Sequence, residues 1–492
     1  VGTRIGPLKP REEGKVNQVQ GEEGNYRIER DSLGEVKVPK EAYYGAQTQR
    51  ARENFPISGL VIDRVFIESY VLIKKAAALV NCELGMLSEE QRDAIVAACD
   101  EVLAGKFLDQ WVVDVYQAGA GTSFNMNTNE VIANRANEIA GHPERGTYPL
   151  VHPNDHVNMA QSTNDTFPTA IRLTCLRMLP ALLSSLDSLI QALGEKGEEF
   201  AQVITTGRTH NQDATPITLG QVFTAFADTV EKARQRLVRA SGELYHLNLG
   251  GTAVGTGLNT HPDYRERVAL KLAELTGLDL KPARNYIEIA HNIHDFAEFA
   301  AALRCLALDL LKIGIDLRHM NAGPTSGIYE IVLPTVQPGS SIMPGKINPS
   351  MVEMLNQVCF QVVGLATTVD YCTTAGEHQL NVMMPVVGFN LTHMLKILTN
   401  AITAFTERCV RGIRANQERC RHFFESSLSL ATVLNPLIGY NQAARIVKQA
   451  LAKGKPILRE VVEEGVLTEE QVRKIFTPDR LTRPGFITKE DL

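Results

Sequence analysis

Four segments of the chain, 166–202, 217–247, 295–321 and 351–413, are dominated by Ala, Leu, Val and Ile with charged residues interspersed. In the stretch Phe296 to Leu311 the apolar residues occupy more than one helical stripe. A helix that is apolar on more than one face is buried on more than one side. Helices of about 25–30 residues run about 40 Å, longer than a single compact domain needs. The pattern therefore predicts a mainly α chain built on a long helical bundle, with surfaces buried against other copies of itself. Pro385 and Gly388 are expected to kink or interrupt the last of these helices.

A chain of 492 residues exceeds what one core normally supports, so several domains are expected. Residues 1–25, rich in Gly, Glu, Lys and Gln, read as a disordered tail without an apolar signal core. Residues 26–164 read as a mixed, mostly helical domain. It opens with extended pieces at Tyr26–Glu29 and Gly34–Pro39 and continues with helices over 67–84 and 88–103. Ser88 supplies the N-cap of the second helix and Gln91 its box partner. The central bundle occupies 165–416. A small helical domain, 417–492, has helices over 427–434 and 442–452 and another opened by Thr468.

The formal charge of −6 argues against nucleic acid or an anionic membrane surface as the main partner. No uninterrupted apolar run approaches the roughly 18 residues of a membrane span. The eight cysteines include no Cys-x-x-Cys and suit a reducing, cytoplasmic setting. His291 and His294 come nearest to a metal pair, and no metal is expected there. A Walker loop is absent. The glycine-rich run Gly250 to Asn259 follows a long helix instead of a strand, which counts against a nucleotide cofactor.

Four polar clusters break the apolar pattern: 119–130, 152–165, 207–216 and 339–349. The first three place hydroxyls and carboxamides near expected helix starts, where unpaired N–H groups and the dipole favour carboxylates. In the fourth, Gly and Pro suppress regular structure and free backbone N–H groups beside Lys346. Such a loop suits a group that gains negative charge as it reacts. Singly, Thr122-Ser123 and Ser162-Thr163 read as N-caps and His210 as a structural histidine. Together, many neutral donors with few carboxylates point to a small dianion handled without metal or phosphate chemistry.

On these residues the chain resembles the fumarase/aspartase superfamily from about Tyr26 to its C-terminus. Gly339 to Asn348 matches the superfamily's signature loop, and Gly207–Pro216 and Gly250–Thr260 match stretches shared by its branches. The resemblance implies a three-domain, mainly α fold whose long central bundle forms a tetrameric core. Each active site would draw on three subunits, and no cofactor or metal is implied. Tyr44–Arg50 and Asp213–Pro216 lean toward fumarases. Gly119–Ser123, Gln161–Asp165, Asn356–Val358 and Leu481–Gly485 follow the aspartase form, which implies elimination of ammonia from L-aspartate to give fumarate.

Carried over residue by residue, Ser340 would be the base, stabilised as an oxyanion by loop amides. Lys346 and Asn348 would hold one carboxylate. Thr122, Ser162, Thr163 and Ser341, with Ser123 in the same cluster, would hold the other. Asn164, Thr209 and His210 would face the amino group or the remaining carboxylate, and Glu353 would orient His210. His152–Asp155 resembles a second dicarboxylate site of fumarases, with a helix-capping turn as the alternative reading. Thr325, Ala366 and Met384 depart from the family pattern by removing charge. A fumarate hydratase and a non-catalytic, crystallin-like member are the other readings.

Overall fold

The computed structural model describes residues 25–488 and residue 490, so the expected N-terminal tail lies outside the described residues except for Asn25. Strands β1 (Tyr26–Asp31) and β2 (Gly34–Pro39) form an antiparallel hairpin. Helices α1 (Ala46–Asn54), α2 (Arg64–Glu83), α3 (Glu89–Leu103) and α4 (Thr122–Ile139) follow. Ser88 and Gln91 form the expected capping box on α3. An aromatic wedge joins α2 and α4 to α5 (Thr163–Glu199): the Phe66 ring lies 5.4 Å from Phe124 and 5.1 Å from Phe167. Such offset and edge contacts fix the two helix starts against each other.

At 37 residues α5 runs about 55 Å. The hairpin β3 (Ile204–Thr209) and β4 (Gln212–Thr218) leads into α6 (Leu219–Ala240). Next come α7 (Tyr264–Thr276), the single turn α8 (Glu288–His291) and α9 (His294–Met320). The fourth apolar segment is two helices, α10 (Ser350–Thr373) and α11 (Met384–Arg408). Their junction falls before Pro385, which occupies the first turn of α11, where a missing N–H breaks no bond. Gly388 causes no kink. It lets α11 approach its neighbours, since an added Cβ would stand 3.2 Å from both Phe66 and Ile171.

The bundle therefore has five long helices, not four. Helix α5 packs on α6 and α11, α9 packs on α6 and α10, and α10 packs on α11, which closes the ring. By length and hydropathy alone, α5 and α10 would each pass as a membrane span. Both instead lie along neighbouring helices of the bundle. Outward, α10 leaves Gln357, Phe360, Gln361, Gly364, Thr367, Thr368 and Tyr371 exposed, with no charged residue between Glu353 and Asp370. Phe360 is 64% and Tyr371 73% exposed.

A second core, built on Phe424, Leu434, Ile446, Ile457 and Ile475, lies apart from the first. It is formed by α12 (Gln417–Ser426), α13 (Ala431–Ile438), α14 (Tyr440–Lys453), α15 (Ile457–Glu463) and α16 (Glu469–Ile475). Thr468 and Gln471 make the capping box of α16.

Candidate active site

Two helix starts form one polar corner. Ala120 and Gly121, at φ 60 and 87, turn the chain sharply into α4. A Cβ on Gly121 would stand 2.1 Å from the Phe167 ring, so only glycine lets α4 begin there. Thr122 is exposed at the first helical position. Ser123 is buried and lines a cleft of about 740 Å³ with Gln47, Arg50, His152 and Asn154. Ser162 caps α5, its Oγ accepting from Asn164 N at 3.2 Å. Thr163 is buried behind it. The Asn164 amide donates to Ala253 O at 2.8 Å.

Asp165 completes the box on Ser162 N and also accepts from Gly250 N at 3.0 Å and Thr252 N at 2.9 Å. Those two glycine-loop amides therefore face a buried carboxylate. The loop follows a two-residue strand, His246–Leu247, parallel to Lys281–Pro282, which the sequence pattern does not reveal. Burial pushes the Asp165 carboxyl up to about 6.

Lys74 of α2 joins the two helix starts. Its ammonium is fully buried and donates to Asn125 Oδ1 at 2.7 Å, Gln161 Oε1 at 2.8 Å and Asn158 Oδ1 at 3.1 Å. Asn125 lies in the first turn of α4, and Gln161 immediately precedes the cap of α5. Burial pulls the Lys74 pKa down to about 7, opposed by the nearby Asp165 carboxylate. Sequence reasoning missed this residue. The available signal was a lysine four positions after Tyr70 on the apolar stripe of a helix.

The 207–216 cluster does not open a helix. It is the β3–β4 hairpin, and α6 begins only at Leu219 under a Thr218 cap. His210 and Asn211 form the two-residue turn with φ 55 and 57, a conformation that non-glycine residues rarely adopt. Thr209 and His210 are exposed at the tip. No hydrogen bond or ion pair among the described residues joins His210 to Glu353, which lies half-buried in the first turn of α10.

In the 339–349 loop Ser340 Oγ accepts from Met343 N at 2.9 Å and Ile342 N at 3.2 Å. The loop closes on itself through Gly339 N to Lys346 O at 2.9 Å and Asn348 Nδ2 to Gly339 O at 2.7 Å. A Cβ on Gly339 would stand 2.4 Å from Lys346 O, so the closure needs glycine. Ser341 and the Lys346 side chain remain exposed. Asn348 thus braces the loop with its amide. The His152–Asp155 turn is self-capped, His152 Nδ1 accepting from Asn154 N and Asp155 N at 3.3 Å each. The described residues hold no group of three or more His, Cys, Asp or Glu arranged for a metal.

Within the chain these residues fall into three groups. The Thr122 and Ser162–Asn164 corner is joined by Lys74, while no hydrogen bond among the described residues links it to the His210 tip or the Ser340 loop. Each part offers exposed hydroxyl, amide or cationic donors. The arrangement can receive a carboxylate at the corner and activate a serine oxygen at the loop.

Comparison with known proteins gives the same reading of family. Residues 34–364 match a family described as lyase, and residues 430–483 match the fumarase C C-terminus. An aspartate ammonia-lyase from a Bacillus species is 48% identical over 93% of this chain and 98% of its own length. The aspartate ammonia-lyase of Bacillus subtilis is 46% identical over 94% of this chain and 98% of its own. A cobalt-bound fumarate lyase:delta crystallin from Brucella melitensis superposes with a TM-score of 0.90. It is 47% identical and covers 93% of this chain and 100% of its own. A class II fumarase from Schistosoma mansoni superposes with a TM-score of 0.87 at 37% identity, covering 92% and 98%. The lyase match spans the corner, the hairpin and the Ser340 loop alike, and the chain belongs to the lyases of the fumarase/aspartase superfamily.

Proposed function

We propose that this chain is a carbon–nitrogen lyase that reversibly deaminates L-aspartate to fumarate and ammonia, with no cofactor. The observation that carries the chemistry is the pair of backbone N–H groups, from Ile342 and Met343, aimed at Ser340 Oγ. A serine is a poor base unless its oxyanion is stabilised, and preorganised amides supply that stabilisation. The choice of aspartate rests on the relatives at 46–48% identity and on the aspartase form of Gly119–Ser123 and Gln161–Asp165.

In this reading the Ser340 alkoxide takes a proton from the carbon beside the side-chain carboxylate. The electron pair moves into that carboxylate, giving an aci-carboxylate with a second negative charge. Its return breaks the Cα–N bond, forms the double bond and expels ammonia, and Ser340 passes its proton to solvent. Thr122, Ser162, Thr163 and Ser341, with Ser123 beside them, receive the carboxylate whose charge grows. Lys346 and Asn348 hold the other. Asn164, Thr209 and His210 face the amino group, and Glu353 orients His210.

These parts would meet only between protomers of a homotetramer. Two features support this: no hydrogen bond among the described residues joins the corner to the His210 tip or the Ser340 loop, and the outward face of α10 is uncharged. The three-part division at 26–164, 165–416 and 417–492 and a cytoplasmic setting belong to the same reading. The eight free thiols suit such a setting.

The second reading, a fumarate hydratase, is favoured by Tyr44–Arg50 and by the likeness to the Schistosoma mansoni fumarase. Supplying L-aspartate and L-malate separately and following fumarate absorbance decides between them. Fumarate from aspartate supports deamination. Fumarate from malate alone refutes it in favour of the hydratase, and fumarate from neither refutes both readings.

A further inference from the structure

Thr209 and His210 sit at an exposed tip, and the last side chain on their strand that grips the body of the protein is Arg208. Its guanidinium donates through both Nη atoms to Glu330, at 3.0 Å each. Such a two-pronged pair fixes direction as well as distance. Glu330 is 1% exposed and also accepts from the Thr205 hydroxyl, farther down the same strand. The Arg208 guanidinium lies 5.1 Å over the Phe423 ring, so neither partner can swing away without losing packing.

The backbone of Glu330 is anchored as firmly as its side chain. Glu330 N donates to Met320 O and Glu330 O accepts from Asn416 N, both at 2.8 Å. Ile331 and Val332 then pair with Ala415 and Arg414, and the chain runs on toward Gly339 and Ser340. Glu330 therefore stands where the hairpin carrying His210 meets the root of the Ser340 loop. The turn at His210 and Asn211 has positive φ at both positions, the geometry of a tight two-residue hairpin, so its direction follows that of the strands beneath it.

We propose that Glu330, acting through Arg208, is a positioning residue that aims the Thr209–His210 tip from the root of the Ser340 loop. This rests on the lyase reading above. Replacing the carboxylate by an amide of the same size turns an N–H donor toward the guanidinium and opens the clamp.

The test compares wild type with Glu330→Gln, Arg208→Gln and the double variant by two readouts. One is hydrogen exchange of peptides across 204–218, and the other is steady-state kinetics on L-aspartate. Exchange at the hairpin is expected to rise while α5 and α10 peptides stay unchanged. Turnover should fall about 10–100-fold, the scale of a misplaced catalytic group, with a smaller change in KM. The double variant should be no worse than either single one. Additive losses, or unchanged turnover in an assembled Glu330→Gln protein, would overturn the proposal. If that variant does not assemble, Arg208→Lys, which keeps the charge but loses the fork, is read the same way. Wild type that forms no fumarate from aspartate fails the deamination reading alone, and the exchange readout still judges the clamp.

Discussion

Replacing Lys74 by methionine removes a buried charge while keeping most of the side-chain volume. The loss leaves Asn125 Oδ1 and Gln161 Oε1 without their donor, whereas Asn158 Oδ1 still accepts from Asn125 Nδ2 at 3.1 Å and Asn129 Nδ2 at 3.2 Å. The buried Asn125 acceptor, left orphaned, costs about 1–3 kcal/mol, and the half-buried Gln161 acceptor costs less. Against this stands the burden of burying the ammonium, expressed as the drop in its pKa from 10.5 to about 7. Tyr70, whose ring lies 5.4 Å from Nζ, and the Asp165 carboxylate face the same group and only partly relieve that burden.

The sign follows from proton counting. Between about pH 7 and the ordinary lysine pKa the unfolded chain holds a proton that the folded one has released, so stability rises with pH. Below that window both states are charged and the burden is fully present. Relative to Lys74→Met, the wild type should therefore gain about 2 kcal/mol between about pH 7 and about pH 9. Urea midpoints of both proteins across that range check it. A difference that does not change with pH would refute the reasoning, because the three carboxamides would then outweigh burial and keep the ammonium charged.

Ser340→Ala should keep the assembly seen by light scattering and lower fumarate release by about 10²–10³, the usual loss on removing one group of such a site. Nearly full turnover would remove its role as base. Gly121→Ala forces a Cβ into Phe167 at a positive φ and should cost more than about 2 kcal/mol in unfolding experiments. An unchanged midpoint would show that the α4 start yields easily. Phe360→Glu puts a charge in the uncharged outward face of α10. If the proposed tetramer forms through that face, sedimentation should show smaller species than wild type with intact helical circular dichroism and lost activity, whereas an active variant of wild-type size would separate that face from assembly.

Much of the fold was legible because helical periodicity is a local property. The over-long apolar segments, the capping boxes at Ser88 and Thr468 and the first β-hairpin each depend on residues within a few positions of one another. The break in 351–413 was expected at Pro385 and lies ahead of it, because proline suits a helix's first turn as well as it ends one. The 207–216 cluster lies just ahead of α6, as its place near an expected helix start implies, but its hairpin turn is not legible in the sequence, since a His-Asn pair at positive φ carries none of the glycine that usually marks such a turn.

The sequence by itself determined the helix class, the family and the residue types of the candidate site, because spacing and short motifs carry that information along the chain. Tertiary structure alone decided that Lys74 ties two helix starts together, that Glu330 holds Arg208, and that Asp165 occupies the amides of the glycine loop. Those pairings join residues far apart in sequence. A charged side chain on a helix looks the same in sequence whether it meets water or a carboxamide. Only the packing of distant segments around it removes the water and makes the partner obligatory.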